Sequence, residues 1–331
     1  VHSRRNHLKM LSAAGLTAML PACAQLGTSN RITIAHTADV QHPVHLAMSR
    51  FGEELMRASG NSMVAEIFPN AQLGTERELV ELVQFGALSM TKVSSLSLES
   101  FSPNLGVYSL PYIFDGSEHQ RRVLASDIGQ ELLDGLSDVL LKGVGYFDAG
   151  ARSFYMADRP INTPDDIRGM TVRVLPSEAL VKTVETFGGA ATPIAFGELY
   201  AALQQGVVDG AENNPPSVLS ARHHEVAKYY SLDEHVSAPD VIVMDQDKWD
   251  GLTPQQQGWV TQAMRAAEDY QRDLWRKASD EALAEIEANG VIINRPDKTP
   301  FREAVADLRA SYNGTPVGDF AARIEAMSEN A

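Results

Sequence analysis

The sequence predicts an α/β protein, and three observations carry that prediction. Short apolar or β-branched runs bounded by turn residues alternate with stretches whose apolar residues recur every three or four positions. The alternation continues through most of the 331 residues. No internal repeat, low-complexity tract or Gly/Ser linker interrupts it. Such a pattern indicates mainly parallel sheets, with ligands in crevices at the carboxyl ends of strands. The length suffices for two domains, and without a linker these would be two lobes that the chain crosses several times.

Taken in order, Ile32–His36 reads as a strand and Pro43 suits the first turn of a helix carrying Val44, Met48, Phe51 and Leu55 on one face. Met63–Phe68 alternates as a strand, and Thr75–Glu78 is a capping-box pattern opening a helix that closes near Gly86. Leu105–Phe114 is an apolar, buried segment, and a helix is expected over 120–133. The run "GVGYFDAGARSFYMA" reads as strand, turn and strand. Thr163-Pro164-Asp165-Asp166 signals a helical turn before the strand "TVRV". A helix with Leu180, Val181, Val184 and Phe187 on one face stops at Gly188-Gly189. Another, over 197–205, leads into the strand and loop "GVVDGAENN". Strand Asp240–Asp245, a long helix from Pro254 to about Ala288, the strand "GVIINRP" and a mostly helical tail to Met327 complete the chain.

The balance of 28 basic and 43 acidic residues gives a net charge of −15. That argues against nucleic acid or an anionic membrane as partner, since both need basic patches. Cys23 is the only cysteine, so no internal disulfide can form and thiol catalysis has no residue in the body of the chain. Residues 1–30 read as an export signal and leader: Arg4, Arg5 and Lys9 precede an apolar run from Met10 to Leu20 and the small residues Ala22-Cys23-Ala24. Ser3-Arg4-Arg5 is similar to a twin-arginine signal, although His7 stands where such signals usually carry Phe, so Sec export also fits. Cleavage after Ala24 and a lipid anchor at Cys23 both fit the Leu20–Cys23 box. The mature chain is therefore expected in the periplasm, free or tethered.

Phosphate-loop, G-x-G-x-x-G and G-x-S-x-G patterns are absent from the sequence. The histidines are scattered, and neither His42/His45 nor His223/His224 has metalloprotease spacing, so neither a metal site nor a cofactor is expected. Polar residues at strand ends stand out instead. Arg152 follows "FDAGA", Arg173 sits inside "TVRVLP", and Asn213 and Asn214 follow "VVDGAE". An arginine fork grips a carboxylate through two parallel charge-assisted bonds, and two arginines with an amide at neighbouring strand ends would make a carboxylate site.

These stretches carry a resemblance. "INTPDDIRGMTVRVLPSEALVKTVETFGGAATPIAFGELYAALQQGVVDGAEN", "FPNAQLGTERELVELVQFGAL" and "SLPYIF" are similar to signatures of DctP-type solute-binding proteins of TRAP transporters, spanning Ile32 to about Met327. The resemblance implies a two-lobe periplasmic binding protein fold with mixed sheets, crossover strands and a long lobe-spanning helix. It implies lobe I over 31–149 and about 238–275, and lobe II over 150–237 and about 276–331. Arg173 matches the arginine that pairs with the ligand carboxylate, Arg152 a second arginine, Asn213 an asparagine on the same carboxylate, and Phe196 an aromatic packed on the ligand. Thr37, Glu76 and Ser94 match first-lobe pocket positions; Gln41 is a further candidate for reading hydroxyls, and His42 a further site candidate that, like Glu76, could serve as base in an enzyme. Similarity to sugar-acid-binding members at "AENNPPS" and "YYSLDEH" adds Asn214, His235 and Asp240. The implied function is capture of a small organic acid, a hexuronate first and a C4-dicarboxylate second, for delivery to membrane permease subunits. A ligand-presenting sensor and an exported uronate-processing enzyme are the rival readings.

Overall fold

A computed structural model describes residues 31–328. The export segment and Cys23 lie outside the described residues. Strands run as β1 Arg31–Ala35, β2 Val64–Phe68, β3 Met90–Ser94, β4 Leu141–Phe147, β5 Arg152–Met156, β6 Thr171–Val174, β7 Ala190–Pro193, β8 Gly210–Asn213, β9 Tyr229–Val236, β10 Asp240–Asp245 and β11 Ile292–Asn294. They form two sheets, ordered β2-β1-β3-β10-β4 and β11-β9-β5-β8-β6-β7.

The sheets are mainly parallel, as the alternation predicts, with one reversed strand in each. β1 pairs parallel with β2 and β3, and β6 parallel with β7 and β8. However, β10 is antiparallel to β3 and β4, and β5 antiparallel to β8 and β9. The physical reason is the crossing itself. β4 leads into β5 and β9 into β10, each pair split between the sheets, so β5 and β10 each enter a sheet from the other one, against its local direction.

Side-chain alternation builds the layers. In β10, Val241 and Val243 join one core cluster while Ile242 and Met244 join another, with Ile32, Ile34 and the buried face of helix Pro43–Ala58. In the second sheet, Phe154 and Met156 face one cluster and Tyr155 the opposite one. Helix Pro254–Ala288, opened by the Thr253/Gln256 capping box, runs along both lobes: it packs on Pro43–Ala58 and also on helix Pro215–Ser220. Gln271 on this helix holds the β4–β5 crossover, accepting from Asp148 N (2.9 Å) and donating to Asp148 O (2.7 Å).

Locally, the helix expected over 120–133 is two helices, Ser117–Leu124 and Asp127–Asp134, because Ser126 caps a new start through Ile128 N. The tail divides into Thr299–Ala304, Ala306–Ala310 and Pro316–Glu325. The last of these places Phe320 and Ile324 in a cluster with Leu105, Val107 and Tyr108. The tail helix thus packs with the first sheet's layer.

Candidate functional site

β6 carries Arg173 between Val172 and Val174, which face the cluster under Phe154. Alternation therefore turns Arg173 to the other face, where it is in register with Ala211 of β8. It is wholly buried. Its Nε donates to Ile194 O at 2.8 Å, whereas Nη1 and Nη2 meet no protein acceptor. Burial pulls its pKa below the ordinary arginine value, opposed chiefly by Glu212. A guanidinium with two idle donors in a dry setting is costly unless an anion meets it.

Arg152, also buried, is fully engaged by comparison. Its Nε and Nη2 fork onto the Glu212 carboxylate at 2.5 and 2.9 Å, and Nη1 donates to Asn213 Oδ1 at 2.9 Å. Asn214 N also donates to that oxygen, at 2.9 Å. Two donors on Oδ1 fix the amide's orientation and leave Asn213 Nδ2 as its free donor. Arg152 thus orders Asn213, and its charge is answered within the lobe. Under Arg173, Tyr155 Oη lies 2.8 Å from His223 Nδ1, and burial holds His223 neutral with a pKa lowered to about 3. Phe196, half-buried, meets His223 edge-on two residues beyond the carbonyl that Arg173 holds.

From the first lobe comes a residue that the sequence reading passed over. Lys92, in the middle of β3, is buried and donates to Glu76 Oε1 at 3.0 Å and Asp240 Oδ1 at 3.3 Å. Glu76 also takes Ser94 N at 3.3 Å and Ser97 Oγ at 2.8 Å. Burial alone would raise the Glu76 pKa, but Lys92 and these donors bring it below the usual carboxylate value. Asp240, with a single donor, is raised by burial. Lys92 is raised, because the two carboxylates outweigh the burial that opposes its charge. Next to it, His42 Nδ1 accepts from Val44 N, capping helix Pro43–Ala58, and Nε2 faces Ser217 Oγ of the second lobe at 3.3 Å. Burial and Lys92 lower the His42 pKa to about 3.

Arg173, Arg152, Asn213, Ser94, His42 and Asp240 are buried, and Glu76, Thr37 and Phe196 are half-buried. The His42–Ser217 contact crosses the divide between the lobes. The lobes also meet where Ser177 Oγ donates to Glu99 at 2.5 Å and where Leu96 enters the second sheet's cluster. Three expected residues sit differently. Gln41 is on the surface, held by its backbone to Asp39. Asn214 spends its Oδ1 capping Ser217 N. His235 lies in the second-lobe core, stacked on Phe154 at 4.2 Å and bonded through Nδ1 to Asp233 at 2.8 Å, with Nε2 4.0 Å from Glu212. Lys92 and Glu212 carry the signal that singled out Arg173, a charged residue inside an apolar strand.

Two lobes joined by two crossover strands and one long helix, drawn over an unanswered guanidinium, define a two-lobe receptor for a small anionic solute. The chain belongs to the DctP family, bacterial extracellular solute-binding proteins of family 7, whose profile matches residues 34–315. The uncharacterized protein YiiZ of Salmonella typhimurium is 38% identical over 281 residues, 84% of this chain and 86% of that protein. The TRAP periplasmic solute-binding protein of Xanthobacter autotrophicus Py2, solved with β-D-galacturonate, is 34% identical with a TM-score of 0.86, covering 89% of this chain and 99% of that one. That of Pseudomonas putida F1, solved with D-glucuronate, is 34% identical with a TM-score of 0.87, covering 91% and 99%. Among the described residues, no helix is long and apolar enough to cross a membrane.

Proposed function

We propose that the protein captures a hexuronate, galacturonate or glucuronate, outside the cytoplasmic membrane and hands it unchanged to a TRAP permease. The observation that carries this reading is the pair of unpartnered Nη groups on buried Arg173. A ligand carboxylate supplies both missing acceptors through one planar fork. Asn213 Nδ2 donates to the same carboxylate, Phe196 packs on the sugar, and the Lys92 and Ser94 side of the first lobe reads hydroxyls. Lobe I comprises 31–149, about 238–275 and the tail helix Pro316–Glu325, and lobe II the remaining described residues. The neighbours that hold hexuronates support this assignment by their likeness to the chain.

Micromolar affinity requires about −8.2 kcal/mol. Charge-assisted bonds of roughly 1.5–3 kcal/mol each, with several hydroxyl bonds, reach that value. Because a ligand shifts open and closed populations only through better contacts in one of them, closure reports capture. The test is a thermal-shift and calorimetric panel of D-galacturonate, D-glucuronate, D-gluconate and succinate, followed by NMR of the recovered ligand. A uronate should raise the melting temperature, continuing to climb with the logarithm of its concentration above Kd, and be recovered chemically intact. Flat responses to all four acids refute capture, and a converted sugar refutes the transport role.

A further inference from the structure

We propose that Lys92, Glu76 and Asp240 act together as a filter that rejects a second carboxylate, so that the site selects hydroxylated monoacids over the matching diacids. This rests on the uronate reading above and adds a discrimination that capture alone does not contain. One ammonium faces two carboxylates at 3.0 and 3.3 Å, so the trio carries a net negative charge, with Lys92 and Asp240 buried and Glu76 half-buried. Lys92 cannot turn to a guest anion without stranding the buried Asp240 carboxylate, which has no other donor among the described residues, and removing the counter-charge of Glu76, a loss larger than the new pair returns. An ammonium has three N–H groups, and two are used, so the third remains for a neutral hydroxyl.

No other cation is free to answer a second charge. Arg152 is forked onto Glu212, and His42 is set as a neutral ring by accepting from Val44 N on Nδ1. Among the described residues of the site, Arg173 is the one cation without an internal counter-ion. A uronate satisfies it with its single carboxylate and offers hydroxyls to the trio. The corresponding aldarate would press its distal carboxylate against Glu76 and Asp240, and like charges this close in low dielectric are strongly unfavourable.

The experiment is calorimetric titration of the full chain with D-galacturonate and with galactarate, in wild type, Asp240→Asn and Glu76→Gln. Each variant keeps an oxygen acceptor for Lys92 and removes one negative charge, so the folded site is preserved. Wild type should favour galacturonate by roughly a hundredfold or more, and either variant should narrow that ratio by about tenfold. A purely structural trio would change both affinities together and leave the ratio alone. Equal binding of both acids by wild type, or an unchanged ratio in both variants while native near-UV circular dichroism persists, overturns the filter and leaves uronate capture standing. Absence of any galacturonate binding by wild type overturns the uronate reading and the filter with it.

Discussion

Replacing Arg173 by Met separates what the guanidinium does for the guest from what it does for the fold. Its protein partner is a single carbonyl, Ile194 O at 2.8 Å, while Nη1 and Nη2 have none. Two charge-assisted bonds to a ligand carboxylate, at roughly 1.5–3 kcal/mol each, amount to about 3–6 kcal/mol, or two to four decades in Kd. The fold, in contrast, loses one weak tie and is freed of a desolvated charge. Exchanging buried charges for an apolar side chain of similar volume is often neutral or stabilising by about 1–4 kcal/mol. Arg173→Met should therefore weaken galacturonate binding at least a hundredfold while the urea midpoint of the ligand-free protein stays level or rises. Calorimetry and urea denaturation on the same preparation read both quantities. Affinity within threefold of wild type would refute the role assigned to Arg173. A ligand-free variant destabilised by 3 kcal/mol or more, on the scale of breaking a buried pair, would show that the arginine serves the fold. Arg173→Lys should also bind poorly, since an ammonium lacks the planar fork.

Arg152→Met strands the buried Glu212 carboxylate and should lower unfolding free energy by about 3–5 kcal/mol, read from urea midpoints, with a near-wild-type midpoint contradicting the internal pairing. His36, His42 and His223 are held neutral by burial, each lowered from 6.5 to about 3. The unfolded chain takes up their protons first as pH falls, so each removes about 2 kcal/mol of stability between pH 7 and pH 5. Ligand-free urea midpoints at the two pH values should differ accordingly, and equal midpoints would place protonated or exposed rings in the native state. Gly150 has φ +60°, and a Cβ there would lie 2.8 Å from Trp275 Nε1, so Gly150→Ala should cost more than about 1 kcal/mol. Gly258→Ala, in the long helix with open space around its Cβ, should instead gain about 0.5–1 kcal/mol. Thermal unfolding of the two variants should move in opposite directions.

How much of this was legible in the sequence depended on which signal each residue carried. Arg173 stood out because a cation interrupts an apolar strand, and the structure shows it buried without an internal acid. Lys92 interrupts β3 and Glu212 interrupts β8 in the same manner. Lys92 was passed over for its serine neighbours, and Glu212 for the asparagines that follow it. β9 was illegible because its inward residues are polar: Ser231 takes Ile161 N at 2.8 Å and Asp233 takes Phe154 N at 3.1 Å, so the buried face does not read as apolar. β7 ends in Pro193 at a sheet edge, where the missing N–H is harmless but the residue pattern resembles a turn. The reversal of β5 and β10 is not legible, because local alternation does not record that the chain has changed lobes. Helix starts were the most legible part, since Thr75, Thr253 and Pro43 announce them through short-range bonds.

The long helix Pro254–Ala288 extends about 52 Å and is common property of both lobes. Each lobe also takes chain segments from either side of the other, so no single cut in the gene yields a self-sufficient half. A chimera with a single junction therefore cannot exchange one lobe whole for that of a relative. A change of guest has to be built by side-chain replacement within both lobes at once.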